Sequence, residues 1–160
     1  MSKVAIIYHS EHHGNTEKLL ISLADKYSVD MFSIPTAEKI DLSGYEAIGF
    51  ASGVFMLQLH KSLFDFINSC SDNYQNKKAF IIFTSGTDNA KYANSLQELL
   101  IKKGFDIIGT YHCLGYDTYG PLKFIGGIAK GHPDKEDIEK FISFYKQTIV
   151  LEKWLKDKKK

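Results

Sequence analysis

The chain reads as an α/β protein of the doubly wound kind, a five-stranded parallel sheet with helices on both faces, and three observations say so. Apolar runs of strand length alternate with segments of helical periodicity, the pattern of parallel strands joined by helical crossovers. Several of those runs are apolar throughout rather than alternating, as strands buried on both faces are. The first run, in Lys-Val-Ala-Ile-Ile-Tyr-His-Ser-Glu-His-His-Gly-Asn-Thr, passes through a short polar loop straight into a helix.

Taken in order, the first strand spans about Lys3–His9 and the first helix Thr16–Tyr27, with Leu19, Leu20, Leu23 and Ala24 on one face. Val29–Ile34 is a short second strand. Glu46–Ser52 is a third, fully apolar at its centre, and a helix over His60–Ser69 follows. Lys78–Thr84 is the fourth strand, ended by Ser85-Gly86-Thr87. A helix over Ala90–Lys103 closes at Gly104, a residue suited to a left-handed cap. Phe105–Leu114 is the fifth strand. Pro133–Trp154 forms a long last helix, opened by Pro133 and the acidic Asp134, Glu136 and Asp137.

At 160 residues the chain fits one domain, 1–160, and leaves no room for a second. No apolar run reaches bilayer length, and no basic stretch leads into an apolar leader, so a cytoplasmic location with no membrane span is expected. A formal net charge of +1, with one basic run at Lys156–Lys160, provides no field for nucleic acid. Cys70 and Cys113 lack Cys-x-x-Cys spacing and read as plain thiols. His12 and His13 are adjacent, a poor geometry for chelation, and His60, His112 and His132 are scattered, so no metal site is expected. The sequence also lacks a nucleophile with an adjacent base and paired carboxylates, which leaves the hard chemistry to a cofactor and assigns no catalytic residue.

The first strand-to-helix loop is where a phosphate fits. A helix start leaves amide N–H groups unpaired and carries partial positive charge. Ser10 and Thr16 add hydroxyls, Asn15 an amide, and Gly14 allows close backbone approach; His12 or His13 can donate as well. Glu11 would repel a phosphate and is expected to face solvent. Neither Gly-x-x-x-x-Gly-Lys-Ser/Thr nor Gly-x-Gly-x-x-Gly occurs here, which excludes the NTPase loop and the dinucleotide fingerprint. The remaining pattern, a Ser/Thr-bearing loop ending in Gly-Asn-Thr with no Lys or Arg between Ser10 and Thr16, resembles the FMN-phosphate loop of flavodoxins, one residue longer than in the shortest of them. The stretches Gly-Tyr-Asp-Thr-Tyr-Gly-Pro and Gly-Gly-Ile-Ala-Lys-Gly-His-Pro are similar to those of a bacterial and archaeal subgroup of that family, and the likeness runs to about Tyr145.

The resemblance implies a flavodoxin-like strand order 2-1-3-4-5, with ligand beyond the carboxyl ends of the strands where the order reverses. Three further loops then join the phosphate loop. Ser52, Gly53, Val54 and Phe55 follow the third strand; Ser52 or Gly53 would present a backbone carbonyl to flavin N5, and Phe55, beside Met56, an apolar face to the ring. Thr84, Ser85 and Gly86 follow the fourth strand and would edge the pyrimidine side. Gly115, Tyr116, Asp117, Thr118, Tyr119 and Gly120 follow the fifth, with the two tyrosines placed for ring contacts. The long segment beyond carries apolar residues between Leu122 and Ala129, expected to fold over the flavin or to form a partner surface. The function implied is an FMN-binding electron carrier between redox partner proteins, a donor reductase and an acceptor. An FMN-dependent reductase passing hydride from NAD(P)H to a quinone or other small acceptor is the alternative. The near-neutral charge implies a less depressed potential for the reduced flavin, and weaker salt dependence of partner association, than in strongly acidic flavodoxins.

Overall fold

Valine, isoleucine and phenylalanine runs build the parallel sheet of the computed structural model, which describes residues 3–34, 36–70 and 74–159, without the side chains of His12, Glu38 and residues 153–156. Its elements are β1 (Val4–His9), α1 (Asn15–Ala24), β2 (Asp30–Ser33), β3 (Ala47–Phe55), β4 (Gln58–Leu59), α2 (Lys61–Ser69), β5 (Lys78–Ser85), α3 (Asn94–Lys102), β6 (Asp106–Leu114), α4 (Lys135–Tyr145) and α5 (Leu151–Lys158). The strands lie in the order β2-β1-β3-β5-β6, all parallel, while β4 pairs antiparallel with β3. With β4 set aside, this is the order 2-1-3-4-5.

Side-chain alternation along the strands divides the core in two. Ala5, Ile7, Ile48, Phe50, Ile81 and Phe83 face α2 and α3, packing on Leu63, Phe66, Ile67, Leu96 and Leu100. On the other face Ile6, Ala47, Ala51, Phe80 and Ile82 meet α1 through Leu19, Leu20 and Leu23, and α4 through Phe141 and Tyr145. Tyr145 is pushed up to about 12 by burial, with Tyr27 beside it. Gly49 has to be glycine. The Phe80 ring crosses directly over it, so a Cβ there would lie 2.7 Å from two ring carbons and 3.1 Å from Ile6.

Several boundaries differ from the sequence reading for local reasons. The third strand runs on to Phe55, and Met56 and Leu57, both at positive φ (51° and 67°), turn the chain back into β4. That unexpected hairpin extends the carboxyl edge. The helix expected from Ala90 begins as a 3-10 turn (Ala90–Ala93), capped by Asn89 accepting from the Lys91 amide at 3.0 Å. Another 3-10 turn, Gly120–Ile125, with Pro121 in its first turn, occupies part of the long segment after β6. The last helix opens at Asp134, not Pro133. Asp134 and Asp137 form a reciprocal capping box, each carboxylate accepting the other's amide at 2.9 Å, which holds the Asp134 carboxyl below its ordinary range. A π turn at Lys146–Val150 separates α4 from α5, so the helical stretch passes beyond Trp154.

Candidate functional site

Beyond the carboxyl ends of β1, β3, β5 and β6 lies a cavity of about 610 Å³, running between the start of α1, the β3–β4 hairpin and the loops after β5 and β6. This is where the strand order reverses between β1 and β3, the crevice such sheets use for ligands. Asn15 and Thr16 line one end, Gly53, Val54 and Phe55 a second wall, Thr84, Ser85 and Gly86 the floor, and Gly115, Tyr116, Asp117 and Tyr119 the third wall. Four loops that are far apart in sequence thus converge as expected.

The phosphate-loop end is cross-tied. The Thr16 and Thr84 hydroxyls share a buried hydrogen bond of 3.0 Å. Asn15 Nδ2 donates to the Tyr116 carbonyl at 2.8 Å, and His13 Nε2 bonds Thr118 Oγ1 at 2.9 Å while its ring rests on Tyr116 with centroids 4.4 Å apart. These ties demand small residues. At Gly115 a Cβ would meet Asn15 Nδ2 at 2.8 Å and Thr84 Cβ at 3.1 Å. Gly14 caps α1 in the left-handed conformation (φ 64°) and brings no side chain over the first helical amides, while Ser10 Oγ accepts from Glu17 N at 3.2 Å and keeps its own proton free to donate. The donor set is therefore amides plus hydroxyls at a helix start, which fits a phosphate.

The remaining sequence-derived residues fall into two groups. Ser10, His13, Gly14, Ser52, Thr118 and Gly120 stand outside the cavity lining, behind it or at its margin; the side chain of His12 lies outside the described residues. Ser52 is fully buried, its hydroxyl donating to the Gly53 carbonyl at 2.7 Å and accepting from His60 N at 2.9 Å. Both Ser52 and Gly53 sit in the β3–β5 ladder, opposite Phe83 and Thr84. The chain turns only beyond them, at Met56 and Leu57. Those two residues line the cavity, as do Thr87, Tyr92, Leu122 and Ile128. Tyr92, which the sequence did not single out, brings its hydroxyl to Thr87 Oγ1 at 2.8 Å. The segment after β6 folds back through the mutual pairing of Asp117 and Ile128 backbones at 3.0 and 2.8 Å, turning Leu122 and Ile128 inward and leaving Phe124 82% and Ile125 72% exposed.

One juxtaposition corrects the view of the histidines as scattered. His60, at the N-cap of α2, stacks face to face on His9 at the end of β1, with centroids 3.6 Å apart and planes 4° from parallel. Glu11 Oε1 lies 2.9 Å from His9 Nε2. Two imidazoles sharing one ion would hold their centroids roughly 4.5 Å apart or more, given metal–nitrogen bonds of about 2 Å, so the stack is not a chelating geometry. Cys113 is no nucleophile either, since burial pushes its thiol up to about 12.

A parallel sheet with a polar and apolar crevice at its topological switch point places the chain in the doubly wound α/β class. A flavodoxin-domain profile matches residues 5–111, and the chain belongs to that family. It is 40% identical over 149 residues to an uncharacterized protein of Methanocaldococcus jannaschii, covering 92% of this chain and 98% of that one. Among solved structures the fold is similar to oxidised flavodoxin 2 from Bacillus cereus, with a TM-score of 0.62 at 19% identity over 89% of this chain and 94% of that one. It is likewise similar to the Trp repressor binding protein from Bacillus subtilis, with a TM-score of 0.63 at 12% identity, covering 88% and 95%.

Proposed function

We propose that this protein binds FMN in the cavity at the switch point and carries electrons between redox partner proteins. The observation that carries the reading is the polarity of that cavity along its length. Amides and hydroxyls gather at the α1 end, where the Tyr116 ring rests on His13, and Phe55 and Tyr119 line the rest of the cavity, an arrangement suited to a phosphate at the helix start with a flat aromatic ring beside it. On this reading Ser10, His13, Gly14, Asn15 and Thr16 hold the phosphate together with His12, while Ser52 to Phe55, Thr84 to Gly86 and Gly115 to Gly120 enclose the ring. Flavin supplies the one- and two-electron chemistry; the chain's own residues bind, orient and shield it.

Exposed apolar side chains at the rim support electron exchange with another protein. Met56 is 92% and Leu57 76% exposed, close to the same opening as Tyr119 at 68%. The same rim supports a second reading, since Leu122 and Ile128 provide an apolar wall on which a small acceptor such as a quinone can lie, with NAD(P)H as donor.

The test is direct. The purified protein should show flavin absorbance or take up added FMN with quenching of its fluorescence, and a colourless protein indifferent to FMN refutes the proposal. Reduction only through a separate reductase supports the carrier, whereas steady NAD(P)H oxidation by the isolated flavoprotein supports the enzyme.

A further inference from the structure

The His9–His60 stack stands at the entrance to the phosphate loop and is used by nothing described so far. Glu11, two residues beyond His9, is among the residues lining the cavity, so a carboxylate charge stands close to where an anion would sit and opposes it. His9 stands against that charge at contact distance: Glu11 Oε1 is 2.9 Å from His9 Nε2, yet that buried nitrogen makes no hydrogen bond, so the contact is one of charge and proximity rather than an aligned bond.

The stack sets how many protons the group holds. At a centroid spacing of 3.6 Å, two imidazolium rings would repel strongly enough to weaken the second protonation about a thousandfold in a partly buried setting. His60 is a weakened base. Burial, followed by the His9 charge, holds it below the ordinary imidazole range, and its Nδ1 sits 3.1 Å from the Ser62 amide and 2.8 Å from Ser62 Oγ as the cap of α2. The other charged groups facing His60 are Lys61 and Asp65, which pair with each other at 2.6 Å on the exposed side of α2. Phe55 meets both rings edge-on, at 6.3 Å from His9 and 4.8 Å from His60, and separates them from the cavity on the hairpin side. A proton arriving here therefore settles between His9 and Glu11, with His60 as a neutral plate behind it.

We propose that His9, Glu11 and His60 form a one-proton site built into the start of the phosphate loop, whose occupation neutralises Glu11 and admits an anion to the pocket. The idea rests on the reading of the pocket as the seat of a phosphate-bearing ligand. By linkage the coupling is reciprocal: a bound anion raises the proton affinity of the stack, and the proton raises anion affinity. The proton is held at low pH and released as pH rises through the titration of the pair, so anion affinity falls in that direction.

The ligand-free protein tests the first half. Histidine Cε1–H signals followed by NMR from pH 8.5 to 5 should show the His9 and His60 resonances moving together in a single step, and Glu11→Gln, at an exposed side chain, should lower its midpoint by about one pH unit. His112 and His132 serve as internal controls for an intact fold. Two separate, complete protonations of the stacked rings, or a midpoint indifferent to Glu11→Gln, overturns the one-proton site. The second half is read by calorimetry with FMN, riboflavin and inorganic phosphate at pH 8 and pH 5.5, with each wild-type affinity divided by that of His9→Asn so that the ligand's own titration cancels. For FMN and for phosphate the ratio should rise about tenfold at the lower pH, and for uncharged riboflavin it should stay flat. Glu11→Gln should bind both anions more tightly at pH 8 and move the pH dependence about one unit lower. A ratio that does not change for either anion refutes the coupling. Should FMN fail to bind while phosphate binds with the expected ratio, the flavin reading falls and the proton site stands.

Discussion

The two ends of the pocket are built on opposite principles. At the α1 end, Thr16 is tied to Thr84 by a buried hydrogen bond, Asn15 to Tyr116 by a half-buried one and His13 to Thr118 at the surface, so three loops are cross-linked. At the hairpin end, Met56 and Leu57 hold left-handed conformations costly for residues with a Cβ and expose most of their apolar surface. Rigid positioning belongs where a small charged group must be gripped. Strain and exposure belong where a surface meets something larger and changeable, and they are maintained there at a cost to stability.

The strongest way to break the contrast is Gly115→Val. Its side chain would collide with Asn15 and Thr84, prise the β6 loop away from the α1 end, and weaken FMN binding by roughly a hundredfold or more, about 2.7 kcal/mol; fluorescence titration at near-wild-type affinity would show that the cross-ties do not shape the site. Thr84→Val is next in size. It leaves the buried Thr16 hydroxyl without its partner and should cost about 1–3 kcal/mol in urea unfolding, a loss absent if the hydroxyl finds another acceptor. Tyr116→Ala removes the ring beside His13 and should weaken FMN by about 0.5–1.5 kcal/mol, with inorganic phosphate unaffected; equal losses for both ligands would move Tyr116 to the phosphate end. The smallest effect has the opposite sign. Leu57→Gly relieves a positive φ of 67° and should raise stability by up to about 1 kcal/mol, and a decrease measured in the same urea titration would mean that the exposed leucine packs in solution.

The strands were legible because the central ones are apolar runs and the crossover helices show their own period, while their order followed from the family resemblance. The start of α1 was legible because Gly14-Asn15-Thr16 follows such a run at once. The hairpin was not. Turns of two residues at positive φ are announced by Asn-Gly or Asp-Gly, and here the positions are Met56 and Leu57, so the apolar run appeared to end at Ser52. Pro133 misled in a similar way: the proline precedes the cap, and the Asp134–Asp137 box supplies the helix start. The stack of His9 on His60 joins residues about fifty positions apart, through a pairing that only tertiary packing creates. No spacing rule finds it.

Gly49 bears on how the chain reaches this structure at all. Phe80 is its register partner across β3 and β5, and its ring occupies the space that a side chain at position 49 would fill. Slippage by one residue would send every side chain of β3 to the opposite face of the sheet, into the other half of the core. Slippage by two would bring Ala47 or Ala51 beneath the ring, each with a methyl where only a hydrogen fits. The missing side chain thus serves as a keyway, letting the two central strands lock in one alignment and rejecting the neighbouring ones during assembly.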